Sequence, residues 1–437
     1  MKKFFKTMLA AGLTTPCLLN AQPLAEAHHS SPVNADTTMI TYLNNAAKKE
    51  FEYTLNMHAH LCKHPELSWK EFETTRMLAA ELDKLGIPYR ILKRGTGLIA
   101  VIDCSDPDAQ TVILRFDIDQ LNVPDEGKKL YPSDSTGISA ACGHSAHTAI
   151  GMTVAKILLP LRQKMKGRLL ILAQPAEELI TDPGCKYVIE EEGILDYPNI
   201  VGAFGLHVTP NYQSGDVHLA EGEFMASANE MDVVFYGKSG HVQGQKNTKN
   251  TIHAAAEFIT QLNIIRSAHS DPFQPILLAC TKIHSNTWAN ENSNLVPDTT
   301  SCTVIFRTLS QEYLKEMTRR IRQVAENVAN SFDQKVEFKE SPGIPTVKND
   351  PELTRWSREQ LINLLGAEHV KQADLKMGGD DAAFLSHLIR LVYLRLGSGG
   401  APEFEYPLHD KRFQVNPACL PVGVSALAYL IYQKMAF

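Results

Sequence analysis

Two patterns of apolar and polar positions alternate along the chain. Residues 111–116, 168–173, 199–206 and 391–396 are short, nearly unbroken apolar runs, the signature of strands covered on both faces. Between the first two, residues 148–165 place Ile150, Val154, Ile157, Leu158 and Leu161 on one side of a helix. A further helical stretch, residues 42–61, precedes them. Strands separated by helices predict a layered α/β/α fold around a mostly parallel sheet.

Near residue 225 the pattern changes. A strand at 231–236 is followed by a helix at 251–268, strands at 276–284 and 299–308, a long amphipathic helix at 311–332 and a strand at 335–339. The order β-α-β-β-α-β is ferredoxin-like. We therefore expect an inserted lid domain, residues 225–338, within a discontinuous α/β catalytic domain made of residues 36–224 and 339–437.

The first 27 residues stand outside this scheme. Lys2, Lys3 and Lys6 precede an apolar run, and Ala25-Glu26-Ala27 offers a small-x-small site. That is the layout of a secretory signal, too short to span a bilayer, and it predicts a periplasmic or secreted protein cleaved after Ala27. Loss of residues 1–27, with three Lys and one Glu, moves the net charge from −6 to −8. A mildly acidic chain without a basic stripe excludes nucleic acid and anionic membrane surfaces as partners. Of eight Cys, Cys17 leaves with the signal, and the seven that remain contain no CxxC. An odd number leaves at least one thiol unpaired or otherwise engaged.

The chemistry-bearing residues follow the strands. Asp117 and Asp119 come after 111–116, Glu177 and Glu178 after 168–173, His207 after 199–206, and His409 after 391–396 and a Gly-rich loop. The run ACGHSAH, 141–147, lies between the first two strands, just before a helix. Ligands of open α/β sheets bind outside the carboxyl ends of the strands. Each residue taken singly has an ordinary reading: a solvated turn, charges favourable in a helix's first turn, a core imidazole, a small buried thiol. Their convergence on one sheet edge outweighs those readings. Cys, His and Glu are ligands of divalent metals. A neighbouring carboxylate can take a proton from water that a metal has acidified, which is equipment for hydrolysing an amide.

With these residues in place, the chain resembles the co-catalytic metal amidohydrolases, which include aminoacylase-like, hippurate-hydrolase-like and auxin-conjugate-hydrolase-like enzymes and related carboxypeptidases. The matching runs are HPELSWKEFETT (64–75), RFDIDQL (115–121), ACGHSAHTA (141–149), QPAEE (174–178), GLHVTP (205–210), GKSGH (237–241), NLVPD (294–298), FRT (306–308), MGGDD (377–381) and PLHD (407–410). The resemblance implies two divalent metal ions (Zn, Mn or Co), with Cys142 bridging them, His144 and His207 on one, and Glu178 and His409 on the other. It implies Glu177 as general base and Asp119 as the carboxylate that orients a ligand. In the lid, His241 would steady the oxyanion, in this or a partner subunit's site. Asn294 and Arg307 would hold substrate, Arg307 gripping a free carboxylate. The substrate so implied is a small-molecule N-acyl amino acid or peptide, and the assembly a homodimer through the lid.

Three positions depart from the family pattern. Ser145 stands where Asp usually follows CGH, which predicts a weakened orienting contact. Residues 242–246, VQGQK, replace a Pro-His pair, and Gly378-Gly379-Asp380-Asp381 replaces Gly-Ser-Glu-Asp. They leave open a catalytically silent binder on the same scaffold. A third scheme makes Cys142, with His144 or His147, a cysteine nucleophile, but leaves the Glu pair and the strand-end His residues without a task. Outside that scheme His147 is a structural or supporting residue.

Overall fold

The computed structural model describes residues 37–436, except 269, 270, 272 and 287–291. The predicted signal, residues 1–27, lies outside the described residues.

An eight-stranded sheet forms the centre. Its spatial order is Tyr89–Ile91, Leu98–Asp103, Arg168–Gln174, Thr111–Asp117, Ile200–Gln213, Leu391–Gly399, Val217–Leu219 and Val370–Gln372. The four strands expected from sequence sit side by side in the middle and run parallel. Shorter strands, three of them in antiparallel pairings, extend both sides. Successive residues bury alternately on the two faces. Val112 and Leu114 join the core under the helices Thr37–Lys49, Phe51–Lys63, His144–Leu158 and Leu420–Ala436. Ile113 joins the core beneath Gly184–Glu191 and Ala383–Ser386. A sheet buried on both faces needs no polar alternation, which is why these strands read as unbroken apolar runs.

The chain passes from Thr111–Asp117 to Arg168–Gln174 on one side, then back across to Ile200–Gln213 on the other. Such a reversal of strand order opens a crevice at the carboxyl edge.

Residues 229–340 form a separate four-stranded antiparallel sheet in the order Ile276–Ser285, Thr299–Thr308, Asn229–Tyr236, Lys335–Glu340. In chain order this is 2-3-1-4, the ferredoxin-like arrangement. The helices Thr251–Ala268 and Gln311–Ser331 pack on it through Phe258, Leu262, Met317 and Ile321.

Three element expectations shift. The strand expected at 199–206 runs on to Gln213, so that His207 lies within it rather than after it. The helix predicted at 148–165 begins at His144 and gives way at Leu159 to a 3₁₀ turn containing Pro160, whose ring removes a backbone donor. The opening helical stretch is two helices, Thr37–Lys49 and Phe51–Lys63.

Candidate active site

The ends of the strands Thr111–Asp117 and Arg168–Gln174, the middle of Ile200–Gln213, the loop after Leu391–Gly399 and one helix start deliver the site. Gly143 caps the helix His144–Leu158 with φ of 94°, and a Cβ there would lie 2.3 Å from Val208 Cγ2. Only glycine satisfies both constraints, and the turn it makes sets Cys142 and His144 on the sheet edge. His409, also left-handed at φ 69°, is tied to that turn by its N–H, which donates to the Ala141 carbonyl at 2.7 Å.

The ligand atoms gather in two groups that share one thiol. Those of Cys142, His144 and His207 all lie within 4.8 Å of one another, as do those of Cys142, Glu178 and His409. Cys142 Sγ is 3.5 Å from His207 Nε2, and Glu178 Oε1 is 3.5 Å from His409 Nε2. His144 Nε2 is 3.7 Å from Glu177 Oε2 and 3.8 Å from Glu178 Oε1. His144 Nε2 and Glu178 Oε1 are both buried without a hydrogen-bond partner. Unpartnered lone pairs facing a common point fit a divalent cation better than any rearranged hydrogen bond.

Asp119 organises this geometry. His144 Nδ1 lies 2.9 Å from the Asp119 carbonyl and 3.2 Å from its Oδ1, leaving Nε2 free for the cluster. Asp119 Oδ2 accepts from Ser68 Oγ at 2.7 Å and from the Glu178 N–H at 3.0 Å.

Charge is strongly perturbed here. Burial, with Glu178 and Glu177 alongside, pushes the Cys142 thiol well above its usual range, the reverse of an activated nucleophile. Burial, then Asp380 and Glu178, raises Glu177 well above the ordinary carboxylate range. Burial opposes charge on His144, but Asp117 and Asp119 outweigh it and push it up to about 10. Burial, reinforced by His147 and His144, holds His207 well below its usual value.

A cavity of about 460 Å³ opens on the cluster, lined by Cys142, Glu177, Glu178, His207 and His409, by Arg307, and by apolar side chains such as Leu121, Met225 and Ile344. Arg307 is thus brought to the site, with Nη1 donating to the Met377 carbonyl at 3.0 Å. His241 and Asn294 are not among the residues that line it. They are exposed on the unit built on the four-stranded antiparallel sheet and paired with each other, Asn294 Nδ2 3.1 Å from His241 Nε2. The contact expected to weaken at Ser145 is not in this cluster either. The Ser145 hydroxyl lies 3.3 Å from Cys62 Sγ, towards the helix Phe51–Lys63.

One supporting layer escaped sequence reasoning. Arg115, 1% exposed, donates from Nε to Gln174, from Nη1 to Asp117 and Tyr393, and from Nη2 to Asp381, with Asp380 at 3.2 Å. The Asp381 N–H points to Glu177 Oε1 at 3.4 Å. His147 bridges Asp117, at 2.7 Å, to the Val208 N–H, at 2.9 Å, which fixes the backbone beside His207. The available signal was an arginine inside an otherwise apolar strand, which demands buried partners.

Comparison with known proteins agrees with this geometry. Residues 113–433 match the family model described as Peptidase family M20/M25/M40. The chain is 31% identical over 364 residues to an N-acetylcysteine deacetylase of Bacillus subtilis (strain 168), covering 83% of this chain and 92% of that one. It is 28% identical to IAA-amino acid hydrolase ILR1-like 4 of Arabidopsis thaliana, covering 88% and 87%. A solved Bacillus subtilis structure, described as a dinuclear metal-binding peptidase of the M20 family, superposes with a TM-score of 0.75 at 27% identity, covering 89% of this chain and 99% of that one. The chain belongs to peptidase family M20/M25/M40, a family of metal-dependent amide hydrolases.

Proposed function

We propose that the chain is an exported, dinuclear metal-dependent amidohydrolase that releases an amino acid from an N-acyl amino acid or small peptide. The observation that carries this reading is the pair of ligand groups sharing Cys142, with Glu177 beside them and a cavity in front. Cys142, His144 and His207 would hold one ion, and Cys142, Glu178 and His409 the other. The thiol, imidazole and carboxylate donors suit Zn, Mn or Co. When bound, the ions would supply Lewis acidity, polarising the amide carbonyl and lowering the pKa of water.

The protein's own groups do the rest. Glu177 takes the proton of the attacking water at Oε2 and returns it to the leaving nitrogen. Asp119, held by Ser68 and the Glu178 N–H, keeps His144 oriented through Nδ1. Arg307, the cation in the cavity wall outside the cluster, binds the substrate carboxylate bidentately. His241 and Asn294, paired on the lid, support a homodimer in which they reach the amide oxygen and substrate of a second copy. The basic, apolar and small-residue succession of residues 1–27 supports export, and N-terminal sequencing of the mature chain from the periplasm or medium would read a start after Ala27.

A panel of N-acyl amino acids, assayed with added Zn, Mn or Co, tests the activity. Turnover that needs metal and stops with a chelator supports it. Turnover unaffected by chelation would instead indicate a cysteine hydrolase. Bound metal without turnover across the panel would indicate a silent binder.

A further inference from the structure

The segment 64–75, HPELSWKEFETT, reaches the site twice. Ser68 holds Asp119. The second contact is made by Glu71, which is fully buried and immediately precedes the helix Phe72–Leu85. At that position a shorter side chain such as that of Asp or Ser would cap the helix. Glu71 does not; the work falls to Glu66, whose carboxylate accepts from the N–H groups of Glu73 and Thr74 at 3.1 and 2.7 Å. Glu71 Oε1 instead accepts from the Ala176 N–H at 2.8 Å, 105 residues away, and its Oε2 has no hydrogen-bond partner.

Ala176 is the residue before the Glu177–Glu178 pair, and its φ is 51°. A left-handed non-glycine residue persists only where its surroundings impose it. Here both of its peptide groups are held. Its carbonyl accepts from the Gly184 N–H at 2.9 Å, an approach so close that a Cβ on Gly184 would lie 1.7 Å from the Pro175 carbonyl oxygen. Its N–H is held by Glu71. Burying a carboxylate to meet a few neutral backbone donors, those of Ala176, Trp69 and Glu71 itself, is a poor stability device. It makes sense as a device for fixing one backbone conformation.

We propose that Glu71 is a positioning residue for the Glu177–Glu178 pair, its carboxylate clamping the Ala176 N–H and with it the left-handed turn that aims both glutamates at the cluster. The inference rests on the hydrolase reading for its consequence, and on the hydrogen-bond geometry alone for the clamp. What the clamp needs is an acceptor of this length, not a charge.

Two variants of the full chain separate these roles: Glu71→Gln, which keeps the acceptor, and Glu71→Met, which keeps the length without it. Hydrogen–deuterium exchange of the Ala176 amide reads the clamp without metal or substrate. It stays protected in Glu71→Gln and exchanges about tenfold faster or more in Glu71→Met. On an N-acyl amino acid, Glu71→Met loses about 100-fold in kcat with KM little changed, and Glu71→Gln restores kcat to within about threefold of wild type. Wild-type exchange and kcat in a folded Glu71→Met overturn the proposal. So does a Glu71→Gln variant that loses activity while Ala176 stays protected, since the charge would then be what matters; this second result decides the matter if Glu71→Met does not fold. If the wild-type protein hydrolyses nothing, the hydrolase reading fails, and the exchange result still decides the clamp.

Discussion

His144 Nε2 and Glu178 Oε1 face each other across 3.8 Å, both buried and neither hydrogen-bonded. Each belongs to a ligand group that includes Cys142, and with Glu177 the two form a further group. Buried polar atoms are costly unless something satisfies them, and a divalent cation satisfies both kinds at once. The wild-type chain is therefore expected to carry two equivalents of metal by elemental analysis, and His144→Ala to carry fewer. Dialysis against a chelator should abolish hydrolysis, and Zn, Mn or Co should restore it.

Arg307 lines the cavity and is anchored by the Met377 carbonyl rather than by a carboxylate. Its guanidinium is left able to take an anion from the substrate. Arg307→Ala should raise KM for N-acyl amino acids by about 10- to 100-fold, the equivalent of about 1.5–3 kcal/mol for a charge-assisted hydrogen bond, and should leave the corresponding amino-acid amides little affected. Steady-state kinetics on the acid and amide pair reads the difference.

Arg115 compensates three buried acids, Asp117, Asp380 and Asp381. Burial alone would lower its pKa, but Asp380, Tyr393, Asp117 and Asp381 together hold it well above its usual value. Arg115→Met would leave those carboxylates buried without their counter-charge. Loss of one partner of a buried ion pair costs about 3–5 kcal/mol, so urea denaturation should show a destabilisation of that order. Arg115→Lys should recover only part of it, because an ammonium cannot reproduce the fork that meets Gln174, Asp117 and Asp381 together.

Much of this site was legible in the sequence because it is made at strand ends. The strands 111–116, 168–173, 199–206 and 391–396 read as apolar runs and carry the segments around their carboxyl ends to one edge, although His207 lies within its strand, which runs on to Gln213. That logic put Asp119, Glu177, Glu178, His207 and His409 on one edge, and the CGH turn beside them. Periodicity carries no information about pairing at long range. Arg115 meets Asp381 and Tyr393, 266 and 278 residues further along, and no local pattern marks that meeting. Ser145 points away from the ligand groups for a local reason. The helix starts at His144, so adjacent residues project from it about 100° apart, and the serine looks towards Cys62 while His144 looks towards the metal ligands. His241 and Asn294 lie in runs that resemble the family's, and a single chain holds them on the surface of the four-stranded antiparallel unit, paired with each other.

In the proposed reaction Glu177 moves the proton in amide hydrolysis at a site whose ligands are other residues. Kinetics and metal content of Glu177→Ala test it most directly, on the N-acyl amino acid that the wild-type protein turns over fastest. A positioned general base contributes about 10²–10⁴-fold, so kcat should fall by that factor while the two equivalents of metal remain. Turnover that survives Glu177→Ala at the wild-type rate would contradict the account.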